Sequence, residues 1–119
     1  MPPEPTAVPV PGLHLVNQKW EDAIIVRCSG RLTLEHSAAF KNHVRNTIAE
    51  TKALILDFKD VTRMDSSGLG ALVGVYVSAK KAGCELALVN YNKSIRDLLG
   101  LTNLLAMFES CAETGMRIP

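Results

Sequence analysis

Residues 64–70 read Met64-Asp65-Ser66-Ser67-Gly68-Leu69-Gly70, and the most regular apolar spacing in the chain follows at once. Leu69, Leu72, Val73, Tyr76, Val77 and Lys80 fall at i, i+3, i+4, i+7, i+8 and i+11, one face of an α-helix. The lysine stem can cover the end of that stripe. Asp and Ser are N-cap residues, because their oxygens accept from amides that have no partner inside the helix. Gly83 stands where a left-handed residue ends a helix. Gly68, Gly70 and Gly74 lie near the start of this helix, each at a cost of about 1 kcal/mol against alanine. That cost points to close approach, by another part of the chain or by a partner. The free amides and the positive end of the dipole also favour an anion there.

Working outward, Ala53–Phe58 (ALILDF) is an apolar run of the kind found in a strand covered on both faces, and Lys59–Met64 reads as a loop. Ala23–Ser29 (AIIVRCS) is a β-branched strand closed by Gly30, and Leu13, Leu15 and Lys19–Trp20 suggest an earlier strand and turn. Thr33 is placed to cap a helix with Glu35 in its first turn, and Phe40, Val44 and Ile48 step by four along its buried face. Beyond Gly83, Glu85–Val89 (ELALV) reads as a strand, and Asn92 caps a short helix through Ile95, Leu98 and Leu99 that Gly100 ends. Leu104–Phe108 reads as a last strand, and Ser110–Glu113 has capping-box spacing with Gly115 soon after, so any final helix is short.

Strands alternating with helices imply an α/β fold with a largely parallel sheet, and a hairpin of the first two strands makes that sheet mixed. Residues 1–12 (MPPEPTAVPVPG) hold five prolines and read as a flexible leader, with the folded domain over 13–119. A length of 119 residues fits one domain. Hydrophobic content of 47% and charged content of 21% exclude general disorder.

The formal net charge of +1 argues against a nucleic-acid partner. No apolar run approaches the ~20 residues of a membrane span, and no signal pattern opens the chain, so direct membrane contact is not expected. Cys28, Cys84 and Cys111 form no CxxC, which speaks for free thiols and a cytoplasmic location. His36 and His43 lie two helical turns apart with no obvious further ligand, so they read as surface histidines and no metal is expected. Gly68-x-Gly70-x-x-x-Gly74 misses the dinucleotide spacing by one, and there is no GxSxG elbow or Walker lysine. No cofactor, no catalytic residue and no enzyme activity are expected.

MDSSGLG, after ALILDFKDVTR and before an amphipathic helix, resembles the STAS domain of bacterial anti-sigma factor antagonists. The likeness extends to Ser29-Gly30-Arg31-Leu32, to Gly83-Cys84-Glu85-Leu86-Ala87-Leu88-Val89 and to Ile95-Arg96-Asp97-Leu98-Leu99, and so spans roughly Leu13 to Ser110. It implies a single STAS-like domain, a small mixed β-sheet packed with α-helices. It further implies a partner: an anti-sigma factor that is also a serine kinase. The unphosphorylated antagonist binds that kinase and releases the sigma factor, phosphorylation ends the binding, and a PPM-type phosphatase restores it. The acceptor is the hydroxyl residue directly after the motif aspartate, here Ser66. Spacing alone leaves Ser66 and Ser67 open.

Thr33, Met64, Asp65, Ser67, Gly68, Leu69 and Gly70 are then the expected partner-binding residues, although Leu69 also begins the core stripe. Asp65 caps the helix, orients the acceptor hydroxyl or serves as a base; kinase chemistry, being mostly positioning and metal electrostatics, needs little from a base. Ser67 is a second candidate cap, and Arg63 either pairs with phosphate or is solvated. Thr33 stands where the family usually has Asp, which bears on partner choice. A phosphate on Ser66 adds about −1.5 to −2 charges. Beside Asp65, two unit charges ~5 Å apart repel by up to about 3 kcal/mol at an effective dielectric near 20. A second role open to the family is that of a non-switching scaffold module in a transporter complex or a stress-signalling assembly.

Overall fold

The computed structural model describes residues 12–101. The leader before Gly12, the expected strand at Leu104–Phe108, the Ser110–Glu113 capping box and Cys111 lie outside the described residues. Seven elements follow in order: β1 (Leu13–Trp20), β2 (Ala23–Leu32), α1 (Leu34–Ile48), β3 (Ala53–Met64), α2 (Ser66–Ala82), β4 (Glu85–Val89) and α3 (Lys93–Leu101). The sheet order is β1-β2-β3-β4. The β1–β2 pair is an antiparallel hairpin, while β2–β3 and β3–β4 are parallel, so the sheet is mixed as expected.

The expected loop at Lys59–Met64 is strand. β3 runs on to Met64 beside an equally extended β2, with Ser29 opposite Asp60, Gly30 opposite Val61 and Leu32 opposite Met64. The reason is the sheet edge. β4 accompanies β3 only as far as Asp57, opposite Val89. Past that point one side of β3 has no described strand, and residues such as Lys59, Asp60, Thr62 and Arg63 are exposed while Val61 stays buried. Polar residues on a solvated edge hid the strand from a reading based on apolar runs.

The main core lies between one face of the sheet and the helices. Val26, Leu54, Leu56 and Phe58 meet Phe40, Val44, Leu72 and Val75, with Phe40 and Phe58 in edge contact at 6.2 Å between ring centres. Ile95 and Leu99 of α3 join the same cluster. Asn92 caps α3 as expected: its Oδ1 accepts from the Ile95 amide at 2.9 Å, and its Nδ2 donates to the Val61 carbonyl at 3.1 Å. On the opposite face Ile25, Ile55 and Ala87 form a smaller cluster. Asp57, 4% exposed, is satisfied on this side by Arg27 (2.6 Å) and Asn90 (3.1 Å).

Two readings of the helices need correction. The buried stripe of α2 is Gly68, Leu69, Ala71, Leu72, Val75 and Ala79, whereas Val77 is 44% exposed. Small residues carry little hydropathy signal yet let a helix sit close to its neighbours, so the buried face is rotated from the expected one. Lys80 lies over the ring of Tyr76, a member of the expected stripe, at 5.7 Å. His36 is not on the surface; it is 4% exposed and packs where α1 meets Gly12 and Arg31. His43 is half-buried, with a ring nitrogen 2.7 Å from Asn17 Oδ1. Burial lowers its pKa, against a smaller opposing pull from Glu50.

Gly83 ends α2 in the left-handed region at φ 70°, with its N–H on the Lys80 carbonyl and the Cys84 N–H on the Ala79 carbonyl. This is the pattern that lets a glycine close a helix and satisfy its last carbonyls. Cys28 and Cys84 are free thiols. Burial raises the pKa of both, and Asp57 adds to the effect at Cys28.

Candidate functional site

The pairing of Leu32 with Met64 brings the C-terminal ends of β2 and β3 side by side. Each strand turns directly into a helix, so the N-termini of α1 and α2 adjoin. A single carboxylate serves both. Asp65 is the N-cap of α2: its Oδ1 accepts from the Gly68 N–H at 3.0 Å. Its Oδ2 accepts from the Leu34 N–H, the first residue of α1, at 3.1 Å. The Asp65 N–H donates in turn to the Leu32 carbonyl at 3.4 Å.

The Gly68 amide holds the Asp65 carboxyl below the ordinary carboxylate range. Partial desolvation opposes this, and the Leu34, Ser67 and Asp65 amides reinforce it. A carboxylate with both oxygens committed and a lowered proton affinity is a poor base, so Asp65 is a clamp. Thr33 holds the N-cap position of α1, but its side chain makes no capping hydrogen bond. The expected threonine cap is therefore replaced by Asp65 from across the strand gap.

Gly68 is buried because α2 starts against β2. A Cβ at this position would fall on the Leu32 carbonyl oxygen, well inside contact distance, and 2.8 Å from Met64 Cγ. Leu69 is 7% exposed and belongs to the core. Neither residue faces outward, so any partner role for them is indirect. Met64, Asp65, Ser67 and Thr33 are half-buried, while Ser66, Gly70 and Arg63 are exposed. A Cβ on Gly70 would meet open space. Ser67 is the second residue of α2 and is not its cap. Ser66 is the first residue of α2, and among the described residues its hydroxyl makes no hydrogen bond.

Sequence reasoning missed Leu34, the residue beside this site, which is 71% exposed. Its signal was present: it is out of phase with Phe40, Val44 and Ile48. Asp65→Ala is expected to cost about 1–2 kcal/mol in chemical denaturation, through loss of the α2 cap together with the Leu34 contact. Ser67→Ala should stay within about 0.5 kcal/mol of the parent. The reverse order would show that Ser67 carries the cap.

An exposed hydroxyl therefore stands at the joined N-termini of two helices, on a small mixed sheet. The model of the STAS domain family matches residues 14–115, and this chain belongs to that family. Among its relatives, the anti-sigma F factor antagonist of Paenibacillus polymyxa is 31% identical over 94 residues, covering 77% of this chain and 80% of that protein. The crystal structure of an anti-sigma factor antagonist from Mycobacterium paratuberculosis shares the fold with a TM-score of 0.73 at 21% identity, covering 85% of this chain and 87% of that one. The Bacillus cell fate determinant SpoIIAA in its phosphorylated form shares the fold with a TM-score of 0.61 at 18% identity, covering 76% of this chain and 84% of that one. Among the described residues no helix is long and apolar enough to cross a membrane.

Proposed function

We propose that this chain is a cytoplasmic anti-sigma factor antagonist, with residues 13–119 as its one domain, and that it is a binding protein without enzyme activity. Its unphosphorylated form binds an anti-sigma factor that is also a serine kinase, and the sigma factor is released. The kinase then transfers the γ-phosphoryl group of ATP to the Ser66 hydroxyl, which loses its proton as the new P–O bond replaces the bond to ADP. That ends the binding, and a PPM-type phosphatase hydrolyses the phosphoserine and restores it.

The observation that carries this reading is the exposed Ser66 hydroxyl, without a hydrogen bond among the described residues, at a helix start clamped by Asp65. The half-buried Ser67 is less accessible. A dianion on Ser66 stays solvated in the free protein, where the helix N-terminus offsets part of its repulsion with Asp65. Inside a closed interface the same dianion loses its hydration without a partner built to receive it.

Intact-mass measurement after incubation with ATP and the kinase tests the assignment. One phosphate increment is expected on the parent and on Ser67→Ala, and none on Ser66→Ala. An increment that persists in Ser66→Ala would place the acceptor elsewhere. No increment on a parent that demonstrably binds the kinase would return the chain to a scaffold role.

A further inference from the structure

A groove of about 370 Å³ opens between α1 and α2, beginning at Ser67 and Gly70 and running along Ala38, Lys41 and Arg45. Its two cations lie against α2. The Lys41 stem lies over Gly74, where a Cβ would come 3.2 Å from Lys41 Cε. Arg45 Nε donates to Ser78 Oγ at 3.2 Å. Among the described residues neither cation has a carboxylate partner within ion-pair distance.

Apolar surface lies on the same faces. Leu34, 71% exposed, precedes Ala38 by one turn of α1, and Val77, 44% exposed, follows Gly70 by two turns of α2. Across both helices the basic residues are Lys41, Arg45, Lys80 and Lys81, against one acid, Glu35.

We infer that this groove is the docking site for an acidic, partly apolar segment of the partner kinase; the inference rests on the antagonist reading and adds the chemistry of what is bound. Carboxylates of that segment meet Lys41 and Arg45, and its apolar side chains meet Leu34 and Val77. The phosphorylation effect then follows from charge as well as desolvation. Ser66 adjoins the Ser67 mouth of the groove, so its phosphate would face an occupant of like sign. Lys41 lies over Gly74, eight residues and ~12 Å further along the helix axis, beyond the ~8 Å screening length, so it neutralises that phosphate poorly.

Two measurements test this. Kinase affinity is compared, by calorimetry at low and physiological salt, among the parent, Lys41→Glu/Arg45→Glu, the milder Lys41→Gln/Arg45→Gln, and a control of equal charge change, Lys19→Glu/Lys59→Glu. Folding of each is verified by circular dichroism. The groove reversal is expected to weaken binding at least ~10-fold and to flatten its salt dependence, with the Gln pair weakened less and the control unchanged. Separately, a synthetic Glu/Leu-rich helical peptide is titrated into labelled parent protein. Amide shifts are expected to cluster at Ser37, Lys41, Arg45 and Gly70, and to vanish in the reversed pair.

Kinase affinity that is unchanged in the reversed pair overturns the groove and leaves the antagonist reading standing. Peptide shifts that scatter over the surface, or survive the reversal, overturn the groove as well. A peptide seated in the groove of a parent that binds no kinase would instead overturn the antagonist reading and leave the acidic-segment site in place.

Discussion

Ser66→Glu is expected to weaken binding to the anti-sigma kinase by about 10²–10³, measured as Kd by calorimetry, while the melting temperature stays within a few degrees of the parent. The size follows from the affinity scale: a factor of that order is about 3–4 kcal/mol, within reach of one charge forced into a desolvated interface. The stability half follows from position. Ser66 is the exposed first residue of α2, and among the described residues its hydroxyl has no hydrogen bond to lose. A carboxylate in the first turn is favoured by the helix dipole by about 0.3–1 kcal/mol, which offsets repulsion from Asp65. A Glu variant that binds as tightly as the parent removes the switch. One that melts far below the parent shows that the serine serves the fold.

The second large effect is structural. Gly68→Ala should lower the melting temperature by roughly 10–20 °C, which corresponds to about 2–4 kcal/mol for a chain of this size. The added Cβ meets the Leu32 carbonyl, a backbone atom that cannot rotate aside, so α2 must retreat from β2. That retreat also pulls the Gly68 amide from Asp65 Oδ1, and about 1 kcal/mol of the total is the lost cap. Gly70→Ala is the internal contrast. It meets open space, so it should raise stability by about 0.5–1 kcal/mol through helix propensity alone. Thermal unfolding of the two variants side by side decides the matter. A Gly68→Ala protein melting within two degrees of the parent would refute the close approach.

The contrast between these glycines shows where local reading stops. Both looked alike as helix glycines calling for a close neighbour. Only the pairing of Leu32 with Met64 places a carbonyl against Gly68 and leaves Gly70 facing outward. Asp65 behaves similarly. Its capping role was legible, because Asp before an amphipathic run is a local signal. Its second bond, to an amide 31 residues earlier, was not. Nor was the exemption of Thr33, whose capping duty Asp65 takes over.

His36 was misread for the same reason. Its chemistry suggests a surface, but its turn of α1 lies against Gly12 and Arg31 and it is buried there. The choice of Ser66 as the proposed acceptor came from family resemblance, and its exposure is a second argument for that proposal.

Periodicity, capping residues and β-branched runs depend on neighbours within one or two turns. For that reason the sequence alone determined the hairpin, the alternation of strand and helix, the start and end of α2 and the cap of α3. The extension of β3 to Met64, the rotation of the buried face of α2 and the meeting of two helix starts on one carboxylate belong to the tertiary structure. Each depends on which strand lies beside which and on what occupies the space above it, and those are contacts between residues roughly thirty positions apart that no local pattern encodes.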